Sequence, residues 1–149
     1  MRHIISIQLE NESGALSRVS GLFSARGFNI ESLTVAATND PTLSRMTIVS
    51  VGDDDIIEQI VKQVNKLVDV VKVTDLTATE HIERELLIVK ISISNNTQTD
   101  VDAQLDHFGA KIIDVAEDAY IVELAGKSQK INDFLNAFNA EQIIEVSRT

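Results

Sequence analysis

The residues best suited by type and spacing to hold a small ligand are Asn11-Glu12-Ser13-Gly14-Ala15-Leu16. Before them, Ile5, Ser6, Ile7, Gln8 and Leu9 alternate apolar and polar, which predicts a strand. After them, Ala15, Leu16, Val19, Leu22 and Phe23 recur at the spacing of one helix face. The stretch therefore turns a strand into a helix. Ser13 is the expected N-cap, and Gly14 lets a ligand or another backbone come close. A helix start presents unpaired N–H groups at the positive end of its dipole, which suits a carboxylate or phosphate. An ordinary capped strand–helix turn has the same spacing.

No catalytic constellation stands beside this stretch. His3, His81 and His107 fall at a strand start, a joint and a helix end, without metal-ligand spacing, and read as solvated or capping histidines. Asp53-Asp54-Asp55 reads as an acidic helix start rather than a calcium loop, because the later loop ligands are missing. Gly14, Gly21 and Gly27 fit neither standard phosphate-loop spacing. Phe23, Phe28 and the later phenylalanines sit at core spacings, not as stacking platforms for bases. Asn29 is more suggestive, since its amide can both donate and accept. In a symmetric dimer whose sheets meet edge to edge, Asn29 of one chain would face Gly14 of the other.

The composition narrows the class. The chain has 149 residues, 44% of them hydrophobic, enough to bury one core or two small ones. A net charge of -10 disfavours nucleic acid and anionic membrane surfaces as partners. With no cysteine there is no disulfide, thiolate metal site or cysteine nucleophile. Met1-Arg2-His3 runs straight into the first strand, so no targeting peptide is expected. No apolar run is long enough to span a bilayer, and the expected location is cytoplasmic.

The elements that must position the stretch follow in order. A strand over 2–9 leads to a helix over 15–26, with Gly27 at its C-terminus. Residues 28–37 and 43–51 read as a hairpin around Thr38-Asn39-Asp40-Pro41-Thr42. A helix opening at Gly52-Asp53 carries Ile56, Ile57, Ile60, Val61, Val64 and Leu67, and 68–76 reads as a β-branched strand. The pattern then repeats. A strand spans 85–93, and Thr99-Asp100-Val101-Asp102 opens a helix with a capping-box-like start. Residues 111–115 and 119–124 form a hairpin, a helix follows Gly126-Lys127-Ser128, and the last strand covers 142–146. The expectation is an α+β protein of two ferredoxin-like βαββαβ units in tandem, over 1–77 and 84–149, with a polar joint at 78–83. Each unit should carry two helices on one face of an antiparallel sheet, leaving the other face bare for a second sheet.

Three stretches carry a resemblance to a known family: Glu10-Asn11-Glu12-Ser13-Gly14-Ala15-Leu16-Ser17-Arg18-Val19, Gly27 to Val35, and Asp40 to Ile48, extended by Gln63 to Val70. The first half resembles the regulatory small subunit of acetolactate synthase, also called acetohydroxyacid synthase, whose first domain is an ACT domain. The second half is similar more loosely, through Arg84-Glu85-Leu86, Ile113-Asp114-Val115 and Glu123-Leu124-Ala125-Gly126. Ala37 stands where relatives often have proline, and the chain stops at Thr149 where relatives often carry a further tail.

The resemblance implies a non-catalytic partner that raises the activity of a catalytic large subunit and confers feedback inhibition by valine, in branched-chain amino acid biosynthesis. It implies a homodimer whose effector sits between two ACT domains. The implied contacts are Asn11, Gly14, Ala15 and Leu16 from one chain and Asn29 and Ile30 from the other. Thiamine diphosphate, magnesium and FAD are expected in the large subunit and none in this chain. Two other classes remain open on the residues alone: a small enzyme on the same scaffold, and a plain dimerisation module.

Overall fold

The computed structural model describes residues 1–94 and 97–149. The chain divides into two compact units, Met1–His81 and Ile82–Thr149. In the first, β1 (Arg2–Glu10), α1 (Ala15–Ala25), β2 (Ile30–Ala37), β3 (Leu43–Val51), α2 (Asp54–Val64) and β4 (Val70–Asp75) follow in order. The sheet order is β2-β3-β1-β4, every pair antiparallel. The second unit repeats the plan with β5 (Glu85–Ser92), α3 (Gln98–Phe108), β6 (Lys111–Ala116), β7 (Ala119–Gly126), α4 (Ser128–Asn136) and β8 (Ile143–Arg148). Its order is β6-β7-β5-β8. The expected tandem of βαββαβ units is the fold observed.

Alternation decides which face of each sheet is covered. In β1 the side chains of Ile5, Ile7 and Leu9 are buried, and their neighbours Met46 and Ile48 of β3 share that face. α1 packs on it through Ala15, Val19 and Phe23, and α2 through Ile57, Ile60 and Val64. Burying one such side chain stabilises by about 1.5–3 kcal/mol. The opposite face pairs Gln8 with Arg45 and Ser6 with Thr47, so it is largely polar. In the second unit Leu87, Val89 and Ile91 meet Tyr120, Val122 and Leu124 beneath α3 and α4.

Several local expectations are corrected. Gly14, not Ser13, occupies the N-cap of α1, at φ 88°, and no side chain caps the helix. The reason is conformational: the left-handed turn at Gly14 re-aims the backbone before the helix begins. Thr97 occupies the N-cap of α3, so the box at Thr99 to Asp102 lies inside the helix. β2 begins at Ile30 rather than at Phe28, because Phe28 turns back to donate its N–H to the Phe23 carbonyl at 3.0 Å. Leu16 leaves the apolar face of α1 and is 42% exposed. His3 is not solvated: pairing with Ser50 sets it beneath the start of α2, 2% exposed. There Nε2 lies 3.2 Å from the Gly52 carbonyl and 3.4 Å from Asp54.

Candidate functional site

The turn between β1 and α1 is held from two sides. Asn11 donates its backbone N–H to the Thr42 carbonyl at 2.8 Å and its side-chain Nδ2 to the Pro41 carbonyl at 2.9 Å. The β2–β3 hairpin is itself folded for this. Asp40 accepts from both the backbone and hydroxyl of Thr42, which holds its carboxyl below the usual range, the hydroxyl contributing most. With Nδ2 committed to Pro41, the Asn11 amide presents its oxygen as the remaining acceptor, the group an ammonium needs.

Beyond Gly14 the helix opens toward solvent. The Arg18 N–H is the first to close a helical turn, on the Gly14 carbonyl at 3.0 Å. The Ala15 N–H reaches back to Glu12 at 3.3 Å. The amides of Leu16 and Ser17 precede Arg18, the first helical donor, and form the anion-suited end of the helix. Ala15 turns its methyl into the core and offers only its backbone. Leu16 is free of the core and stands beside this end as an aliphatic wall.

Gly14 has a neighbour the sequence did not suggest. A Cβ at this position would lie 2.8 Å from Nη1 of Arg18. The space over Gly14 is therefore filled by the chain's own guanidinium, which crosses to Asp69. Nε and Nη2 of Arg18 donate to the two Asp69 oxygens at 2.5 and 2.9 Å. These bonds hold the Asp69 carboxyl below the usual carboxylate range, against the opposing effect of its burial. The partners lie 51 residues apart, so only the return of β4 beside β1 brings them together.

Asn29 and Ile30 are elsewhere. Asn29 is exposed just before β2, with its carbonyl accepting from the Ser50 hydroxyl at 2.7 Å, while Ile30 packs partly against the core. α1 has 11 residues, about 16 Å of helix, and Asn29 lies beyond its far end. One chain therefore does not bring the two groups together. β2, which Asn29 introduces, is an edge strand of its sheet.

Among the described residues no three or more His, Cys, Asp or Glu side chains are placed to hold a metal ion. Nor is any helix long and apolar enough to cross a membrane.

Residues 5–72 match the family described as the acetohydroxyacid synthase small subunit-like ACT domain, and residues 84–149 match the family described as the small subunit of acetolactate synthase. The chain belongs to the acetolactate synthase small-subunit family. It is 54% identical over 150 residues to the acetolactate synthase isozyme 3 small subunits of Salmonella typhimurium and Escherichia coli, covering 100% of this chain and 92% of each relative. The crystal structure of the Thermotoga maritima acetolactate synthase small subunit superposes with a TM-score of 0.90 at 38% identity, covering 100% of this chain and 93% of that one. Within such a family member, the Gly14 turn belongs to the ACT domain.

Proposed function

We propose that this chain is a non-catalytic regulatory subunit that raises the activity of the acetolactate synthase large subunit and makes it sensitive to valine. Family membership supports the role, and one geometric observation carries the effector reading. The Asn11–Leu16 turn offers an open helix start, an amide oxygen and an exposed leucine side by side. A free amino acid needs those three groups, for its carboxylate, ammonium and aliphatic side chain respectively. Selectivity among branched-chain side chains is modest, since one methylene is worth about 1–3 kcal/mol.

The effector site is shared by two chains. Asn29 and Ile30 lie a helix length from Gly14 in their own chain, at the start of an edge strand. Isologous pairing of the β2 edges carries them toward the partner's turn and closes an otherwise open edge. The first unit is the effector-binding and dimerising domain, and the second folds separately. Thiamine diphosphate, magnesium and flavin serve the large subunit and are not held here.

The purified chain is expected to make no acetolactate from pyruvate alone and to stimulate its large subunit when the two are mixed. Turnover without the large subunit would instead support a small enzyme on this scaffold. Sedimentation is expected to show a dimer at micromolar concentration, and a stable monomer with or without valine would remove the shared site.

A further inference from the structure

Asp69, in the turn before β4, grips the chain at two points around Gly14. Its carbonyl accepts the N–H of Glu10, the last residue of β1, at 2.8 Å. Its carboxylate, almost fully buried, holds Arg18 of α1 through Nε and Nη2. Nη2 of Arg18 also approaches the Ser13 carbonyl at 3.5 Å. Residues 11–14 are thus suspended between the Pro41–Thr42 hairpin on one side and the Arg18–Asp69 pair on the other.

The second unit shows which part of this arrangement the fold itself needs. Ser92 ends β5 as Glu10 ends β1, and its N–H donates to the carbonyl of Gln142, just before β8, at 2.7 Å. The backbone bond is therefore present in both units. The side-chain pair is not. The buried Val19 and Val101 and the helix-ending Gly27 and Gly109 match between the two helices, so Asp100 stands where α1 has Arg18, and Gln142 stands where the first unit has Asp69. A βαββαβ unit of this chain thus folds with an acidic and a neutral residue at these two places, and without the ion pair. Neither Arg18 nor Asp69 belongs to the hydrophobic core of the first unit. The ion pair is an addition specific to the unit that carries Gly14, and Gly14 lacks the side chain that would obstruct it.

We infer that Arg18 and Asp69 are a positioning pair that holds the Ser13–Gly14 turn in its effector-binding shape and so sets the affinity for valine. The inference rests on the effector reading above. A turn already ordered binds more tightly than one the ligand must order itself. Lysine at 18 keeps the charge but cannot bridge both carboxylate oxygens, so its effect lies between wild type and loss of the pair.

The test is valine titration of acetolactate production by the reconstituted complex with wild type, Asp69→Asn, Arg18→Lys, Arg18→Gln and the Asp69→Asn/Arg18→Gln double variant. The half-inhibitory valine concentration is expected to rise about tenfold for Asp69→Asn, the scale of one charge-assisted hydrogen bond, and less for Arg18→Lys. The double variant is expected to match the more affected single one, because both remove the same pair. This midpoint is read independently of the rate without valine. An unchanged midpoint in every variant, with wild type inhibited, would overturn the inference while leaving the effector reading intact. Proportional loss of stimulation and inhibition, in Arg18→Lys as in Asp69→Asn, would make the pair a general strut and overturn it as well. A wild-type complex that valine does not inhibit would overturn both readings.

Discussion

At Gly14 two constraints coincide: a φ of 88° and an arginine within 2.8 Å of where a side chain would begin. Gly14→Asp therefore does more than add charge. Its backbone is strained by about 1–2 kcal/mol, its carboxylate competes with Asp69 for Arg18, and it occupies the anion-favoured end of α1. The expected result is a half-inhibitory valine concentration raised roughly tenfold or more. Stimulation of the large subunit should fall much less. Asn29→Ala is expected to show the same split through loss of the amide. Valine titration of both variants checks this, and parallel loss of stimulation would mark the turn as structural. The Arg18–Asp69 pair also gives a pH signature. Because the folded state holds the Asp69 carboxyl below its ordinary range, the pair stabilises fully above the unfolded value of about 3.9. That stabilisation is lost as pH falls through the depressed folded value. Thermal melting should thus find Asp69→Asn less stable than wild type at pH 7, the gap persisting to about pH 5 and closing only in stronger acid. A gap that closes between pH 7 and 5 would assign the effect to another group.

The elements were largely legible because periodicity survives folding. The alternation of Ile5, Ile7 and Leu9 and the helical spacing of Ala15, Val19 and Phe23 both describe faces that end up buried together. What escaped depends on backbone angles or on distant partners. The N-cap passed from Ser13 to Gly14 because a left-handed residue was needed there, and residue type alone does not report φ. α3 starts at Gln98 rather than inside the Thr99 box because Thr97 bonds back to Ser94, its N–H reaching the Ser94 carbonyl at 3.0 Å. His3 looked like a strand-end residue, and only pairing with Ser50 buries it. Of the site, the Asn11–Leu16 stretch was legible as a strand-to-helix turn. Asp69 was not, since it sits in an apolar stretch whose strand had to be placed beside β1 first. α1 carries the turn at one end and leads to Asn29 at the other, so its seating controls the distance between them. Phe23 is fully buried and meets Phe28 edge to face at 6.5 Å. Phe23→Ala should destabilise the first unit by about 3–5 kcal/mol in denaturant unfolding. A loss under 1 kcal/mol would mean that α1 is not anchored there.

Across the molecule, the two units have separate cores and the same topology, and the Gly14 turn with the Arg18–Asp69 pair behind it belongs to the first. Thr77 completes the first unit, its hydroxyl accepting the Ile4 N–H at 3.0 Å. A fragment ending at Thr79 keeps this bond and is expected to unfold cooperatively by circular dichroism and to dimerise. An unfolded fragment would contradict the independence of the first unit. The most direct measurement is acetolactate production by the large subunit with and without this chain, titrated with valine, leucine and isoleucine. The account predicts a higher rate with the chain present and inhibition by valine that is absent from the large subunit alone. Stimulation without any inhibition by the three amino acids would contradict it, leaving the Gly14 turn an ordinary connection between strand and helix.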